Sequence, residues 1–268
     1  MNAVVDWLTG NVASNVAASL IIGGLLFVWA TLYATWGAAR IWPVHLGTGL
    51  FTPRAELPTV VAATSGHTPQ GRPMTGAGQF SAVAALTPSL RSAYRRSLDH
   101  RKILLSDEVG QIQTHATRDL IVIGAPSTNR TTAAVLAELE LPEGYGLVHR
   151  AEGGDEIRWP GLEELVQDRP GLLSALGLII QCRTPFNQRR GFVTIIAGVK
   201  HTTSGTYGTA GAAIALVEDR RLRRSVTDTL LRRERPWMAL VQAHVTSDST
   251  VGQIADVQVL ATAELPRS

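Results

Sequence analysis

The feature that most constrains this chain is an uncharged stretch near its start, Val16 to Ala39, centred on Leu20-Ile21-Ile22-Gly23-Gly24-Leu25-Leu26-Phe27-Val28-Trp29. A helix crossing the hydrocarbon core of a bilayer needs about 20 mostly apolar residues, and this run supplies them. Trp29, Tyr33, Trp36 and Trp42 crowd its second half, as expected of side chains that settle at a membrane interface. A cleaved signal peptide is the rival reading, but such peptides carry a positive first region and a shorter apolar stretch. Here Asp6 and no Lys or Arg precede Val16. The sequence therefore predicts a short extracytoplasmic N-terminus over 1–15 and an uncleaved transmembrane helix over 16–39, with the lipid bilayer as partner.

Ser19 and Gly23, then Ala30, Ala34 and Ala38, recur at four-residue spacing, which would allow close approach of a second helix. A homo-oligomer formed through this helix stays open as an alternative. No charge lies inside the span, which disfavours a transport pathway through it. Past it come Arg40, Arg54, Arg72, Arg91, Arg95, Arg96, Arg101 and Lys102. By the positive-inside rule that excess places the C-terminal domain in the cytoplasm of a single-pass cell-membrane protein. Cys182 is the only cysteine, so no intramolecular disulfide can form, as suits a reducing compartment.

The formal net charge of +3 over 268 residues gives little support to a nucleic-acid partner, and none is expected. The denser cluster Arg220, Arg221, Arg223, Arg224, Arg232, Arg233 and Arg235 is interleaved with Glu218, Asp219, Asp228 and Glu234. It reads as a solvated helical face; contact with anionic lipid heads is the sharper alternative.

Residues 40–76 carry Pro43, Pro53, Pro58, Pro69 and Pro73 among several Gly and Thr, and read as an extended connector. The pattern becomes regular over 77–268. Helical spacing from Gln79 to Leu98 is interrupted at Pro88, where a break or kink is expected. Lys102–Ser106 reads as a short strand. Asp119-Leu120-Ile121-Val122-Ile123-Gly124 is continuously apolar, as buried parallel strands are. A helix is expected over Thr131–Leu139, strands at Leu178–Ile180 and Phe192–Gly198, and an Ala-rich helix over 210–218. Met238–Thr246 and Ile254–Ala263 alternate like an antiparallel pair. Strands separated by helices imply a Rossmann-like α/β domain with a mostly parallel sheet and flanking helices.

Two loops carry the candidate ligand-binding residues. The first, Gly124-Ala125-Pro126-Ser127-Thr128-Asn129, joins a buried strand to a helix. Gly124 permits a sharp turn, and Ser127, Thr128 and Asn129 can cap the helix or meet an anion at its amide end. The plain alternative is a turn and a cap. The second, from Gly198 through Lys200, His201, Ser204, Gly205 and Thr206 to Thr209, combines small residues, hydroxyls, a Lys and a His over another helix start. That composition suits an anion-cradling loop. It is neither a Walker loop nor a Gly-x-Gly-x-x-Gly fingerprint. In an open α/β sheet both loops would lie outside the carboxyl ends of the strands, where one pocket could use both.

The stretches Asp119–Thr132, Pro185-Phe186-Asn187 and Ala197-Gly198 followed by Gly205-Thr206 resemble a domain of actinobacterial and archaeal membrane-anchored proteins. Its pattern runs Gly-Gly-Pro-x-x-Asn, Asn-Pro-Phe, then Ala-Gly-x-His with Gly-Thr; the first motif is similar to one in S-layer-type proteins. The resemblance covers about residues 100–216 and departs at Ala125 and Thr184. It implies a Rossmann-like ligand-recognition domain, in a context such as bacterial signalling or phage defence, and supplies no catalytic residue.

His45, His67, His100, His115, His149, His201 and His244 lack the paired spacing of metal ligands, so neither metal nor cofactor is expected. Cys182 follows an apolar strand and reads as a small buried hydrophobe rather than a nucleophile. Asp107-Glu108 and Glu163-Glu164 read as exposed acidic pairs. Nothing identifies an enzyme. The expectation is a membrane-tethered cytoplasmic sensor or effector binding a small anionic ligand, a nucleotide or nucleotide-derived signal. An envelope structural protein, and a nucleotide-acting hydrolase or transferase using Cys182 or His201, stand as rivals.

Overall fold

The computed structural model describes residues 58–94, 103–107, 120–150, 154–183, 185–186, 192–219, 222, 237–246 and 253–265, all within the compact unit Ile41–Ser268. The expected transmembrane segment 16–39, its small-residue spacing and the arginines at 220–235 lie outside the described residues. Among the described residues no helix is long and apolar enough to cross a membrane.

The chain enters the sheet through β1 (Thr59–Ala62), inside the stretch read as a connector. A small ribbon of β2 (Gly66–His67) and β3 (Pro73–Met74) follows, then helix α1 (Ala77–Tyr94), which continues through Pro88. Next come β4 (Ile103–Leu105), β5 (Leu120–Ile123), α2 (Arg130–Ala137) and a hairpin of β6 (Gly146–Arg150) and β7 (Gly154–Arg158). After the single turn α3 (Leu162–Leu165) come β8 (Leu172–Arg183), β9 (Phe192–Lys200), α4 (Gly205–Glu218), β10 (Trp237–Thr246) and β11 (Ile254–Glu264).

Seven strands form one sheet in the order β11-β10-β8-β9-β5-β1-β4. The block β9-β5-β1-β4 is parallel, pairing over three or four residues per strand. The block β11-β10-β8-β9 is antiparallel and pairs over nine or ten. The sheet is thus mixed and mostly antiparallel, which corrects the expectation of a Rossmann-like, mostly parallel domain. The reason is the β8–β9 connection. Only residues 184–191 separate the two strands, too few for the crossover of a dozen or more residues that parallel pairing needs. The expected antiparallel pair at the C-terminus is present as β10–β11.

Both faces of the sheet are covered. On one, Val60, Ile121, Ile123, Ile179, Ile196, Trp237 and Val241 meet Ala82, Leu86 and Leu90 of α1 and Ala212, Ala213 and Leu216 of α4. On the other, Leu120, Val122, Ile195, Leu178, Ile180 and Leu240 meet Val135 of α2 and Leu147, Ile157 and Trp159 of the hairpin. Burial of each large aliphatic side chain stabilises the fold by about 2 kcal/mol relative to exposure. Continuously apolar strands such as Leu120–Ile123 follow from burial on both faces.

α4 lies across the strands rather than along them, and its small residues touch backbone. A Cβ on Gly208 would overlap the Leu176 carbonyl of β8, and one on Gly198 of β9 would overlap the Gly205 carbonyl of α4. A Cβ on Gly211 would fall 2.6 Å from the Ala243 Cβ of β10. Gly205, Gly208 and Gly211 therefore meet β9, β8 and β10 in turn. Three residues of helix advance about 4.5 Å, close to the spacing of about 4.8 Å between strands. The glycines that suggested an anion cradle are accounted for by this contact between helix and sheet.

Candidate functional site

Because β4, β1, β5 and β9 are parallel, the chain segments after them emerge at one edge. β5 is the odd strand there. Its helix α2 packs on one face, whereas α1 after β1 and α4 after β9 pack on the other. In open α/β sheets ligands are taken outside the strand ends where the connections diverge to opposite faces. Both candidate loops lie at this edge.

The loop 124–129 is tied down from all sides. Gly124 has φ +122° and its N–H donates to the Ile196 carbonyl at 2.8 Å; a Cβ there would meet Ala63 at 2.5 Å. Asn129 is fully buried and saturated. Its Oδ1 accepts from the Thr131 and Thr132 amides at 2.9 and 3.3 Å, and its Nδ2 donates to the Val61 and Ile123 carbonyls at 3.2 and 3.0 Å. It caps α2 and clips that helix to β1 and β5. The Thr128 carbonyl accepts from the Thr64 amide at 3.2 Å and from the Ser106 hydroxyl at 3.4 Å, stitching together the ends of β1, β4 and β5.

The exposed part of this loop is polar. The Ser127 amide and hydroxyl both donate to the Asp155 carboxylate of β7, the amide at 3.1 Å. His149 Nδ1 of β6 approaches the same carboxylate at 3.3 Å. Arg130, with its side chain 87% exposed, lies 3.9 Å from Asp107, which also pairs with His67 at 3.4 Å. Asp155 stands between Ser127 and His149, so among the described residues the Ser127 hydroxyl meets a carboxylate rather than an imidazole.

The second loop is more internally bound than its composition suggested. The Ser204 hydroxyl caps α4, accepting from the Thr206 amide at 3.3 Å and donating to the Thr206 hydroxyl at 3.0 Å. His201 Nδ1 lies 2.7 Å from the buried Ser174 hydroxyl of β8. Gly205 is a packing residue. Among the described residues no hydrogen bond joins 124–129 to 201–206; the start of α1 stands beside the second loop and the segment after β1. Gly78 packs on Thr206, and Gly76 neighbours Ser65 beyond β1.

Of the eight candidates, then, Gly124, Asn129 and Gly205 build the fold. Ser127, Thr128, His201, Ser204 and Thr206 present polar groups at the edge. The sequence reading did not single out Thr64, Ser106, Arg130 or Asp155, and it weighed His67 and His149 only as metal ligands or bases and Asp107 only as part of an exposed acidic pair. For Asp107 a signal existed: it follows the short strand Ile103–Leu105, and placing that strand in the parallel block brings it to this edge. Asp155 and His149 needed the β6–β7 hairpin, whose polar strands gave no pattern.

Two open cavities lie elsewhere. One, of about 520 Å³, lies between the end of α4 and the start of β11, and another of about 550 Å³ lies beside Trp159 and α3. Among the described residues no cluster of His, Cys, Asp and Glu is arranged to hold a metal ion.

No protein-family model, curated protein or solved structure matches the chain.

Cys182 can be set aside as a nucleophile. It is 1% exposed on β8, and burial pushes its thiol up to about 12, so the reactive thiolate is essentially absent near neutrality. A thiol-specific chromogenic reagent at pH 8 should leave it unmodified in the native protein and label it fully in denaturant. Rapid native labelling would place Cys182 outside the core.

Proposed function

We propose that the chain is a membrane-tethered sensor whose α/β domain binds a small anionic ligand, such as a nucleotide or nucleotide-derived signal, in the crevice at the carboxyl end of β5. The cytoplasmic placement of the domain and its tether through residues 16–39 rest on the charge and hydropathy pattern. The observation that carries the ligand reading is the divergence of α2 from α1 and α4 at β5, with Ser127, Thr128 and Arg130 exposed beside the gap. The first amides of both helices are already capped by Asn129 and Ser204, so recognition falls to side chains. Arg130 is the group suited to a phosphate: a forked, always charged donor, loosely held by Asp107. His67, His149 and His201 lie on the same edge.

The test is thermal unfolding of the full-length protein against a panel of nucleotides, cyclic nucleotides and other phosphorylated metabolites. A ligand at 100 times its Kd should stabilise the folded state by about 2.7 kcal/mol. Arg130→Glu should abolish that stabilisation and leave the unliganded protein unchanged within about 0.5 kcal/mol, because its ion pair is solvated. A flat panel, or a ligand shift that persists in Arg130→Glu, would overturn this assignment.

A further inference from the structure

We propose that the strap Val166–Gly171, running from α3 to β8, is a proton-released clasp over β10, closed while His244 is neutral and opened when it is protonated. The strap is fastened at two points. The Gln167 amide donates to Gln242 Oε1 at 3.1 Å while Gln242 Nε2 donates to the Gln167 carbonyl at 3.0 Å. Beyond it, Arg169 Nη1 meets Asp256 Oδ2 of β11 at 2.8 Å.

His244 lies two residues along β10 from Gln242, and so on the same face of the strand. It stands in register with Ser174 of β8 and Asp256 of β11. Its exposure is 0%, and neither ring nitrogen has a hydrogen-bond partner. A neutral imidazole survives such a site at some cost, whereas an imidazolium there leaves a buried charge without a hydrogen bond.

The groups facing His244 are Asp168 and Arg169 on the strap, Asp256 on β11 and the Ser174 hydroxyl on β8, which is engaged with His201. Burial, and then the Arg169 guanidinium, hold the imidazole below the usual histidine range, against the opposing pull of Asp256 and Asp168. The sign follows. The open form, with an ordinary affinity near pH 6.5, binds the proton more tightly than the closed form. Closure is therefore complete above that pH and is lost as pH falls below it, by up to about tenfold in the closed-to-open ratio per pH unit. Opening wets the imidazolium and frees Asp256 from Arg169 to accept its N–H.

The test is hydrogen exchange of the full-length protein at pH 7.5 and 5.5, followed over residues 162–172 and corrected for the intrinsic pH dependence. Protection of this segment should fall at pH 5.5 in the wild type, by at most about tenfold, and stay unchanged in His244→Met, an apolar side chain of similar volume. Equal protection at both pH values in the wild type, or an equal loss in His244→Met, would overturn the clasp. Should His244→Met not fold, the His244 ring proton resonance of the wild type decides. A titration midpoint below 6.5 supports the clasp, and one at or above 6.5 excludes it.

Discussion

Replacing Gly208 by alanine is expected to lower stability by about 3 kcal/mol, although helix propensity alone would raise it by about 1 kcal/mol. The added methyl group has nowhere to go. It would overlap the Leu176 carbonyl, a backbone atom in the middle of β8, and α4 cannot retreat without also lifting Gly205 from β9 and Gly211 from β10. Overpacking typically costs 1–3 kcal/mol, and contact with backbone rather than a flexible side chain places this case at the upper end. Gly146→Ala is the control, since the nearest atom to its new methyl would be Val148 Cγ2 at 3.6 Å, ordinary contact. It should shift stability by less than about 1 kcal/mol. Urea midpoints at constant slope measure both. A Gly208→Ala protein as stable as the wild type would show that α4 does not rest on the sheet backbone.

Asn129→Ala should cost about as much, by a different route. The substitution removes the cap of α2, worth about 1 kcal/mol, and the side-chain donor to the Val61 and Ile123 carbonyls, at about 1 kcal/mol for each hydrogen bond lost, while the Ile123 carbonyl keeps the Ala63 amide. Asn129→Asp separates the two contributions. A carboxylate can still accept from the Thr131 and Thr132 amides, but it turns negative charge toward two carbonyl oxygens. The protonated acid restores one donor, so the folded state should hold that proton more tightly than the unfolded state. Stability relative to the wild type should then be better at acidic than at neutral pH, falling as pH rises through the raised folded value. Equal stability of Asn129→Asp and wild type across pH 5–8 would mean that Asn129 does not bridge β1, β5 and α2.

Both results bear on what could be read from the chain. The strands Leu120–Ile123, Phe192–Lys200 and the terminal pair announce themselves by apolar runs or alternation, and α4 by its alanines. β1 did not, because Thr59-Val60-Val61-Ala62 is only four residues long and sits among prolines; its partners β4 and β5 lie 41 or more residues away. Strand direction was misjudged at β8, where Leu178–Ile180 stood out but the polar and small positions Ser174, Gly177 and Gln181 hid a strand of 12 residues. At the site, composition located both loops but could not apportion their polar groups. Asn129, for which a cap and a ligand donor were both open, serves as a cap, as does Ser204. Asp155, Asp107 and Arg130 required knowledge of which strand ends meet.

The unequal lengths of pairing across the sheet set where this domain can yield. From β9 to β11 the ladders are long and α4 is seated on backbone, so that half behaves as an anvil. From β9 to β4 the strands hold one another by three or four residues, and their ends are tied by the hydroxyls of Thr64 and Ser106 and by the Asn129 amide. β1 is the middle strand of this compliant half, between β5 and β4. A load applied at Ser127 and Arg130, beyond the end of β5, would therefore be taken up by the short ladders of that half before it reached the long ones.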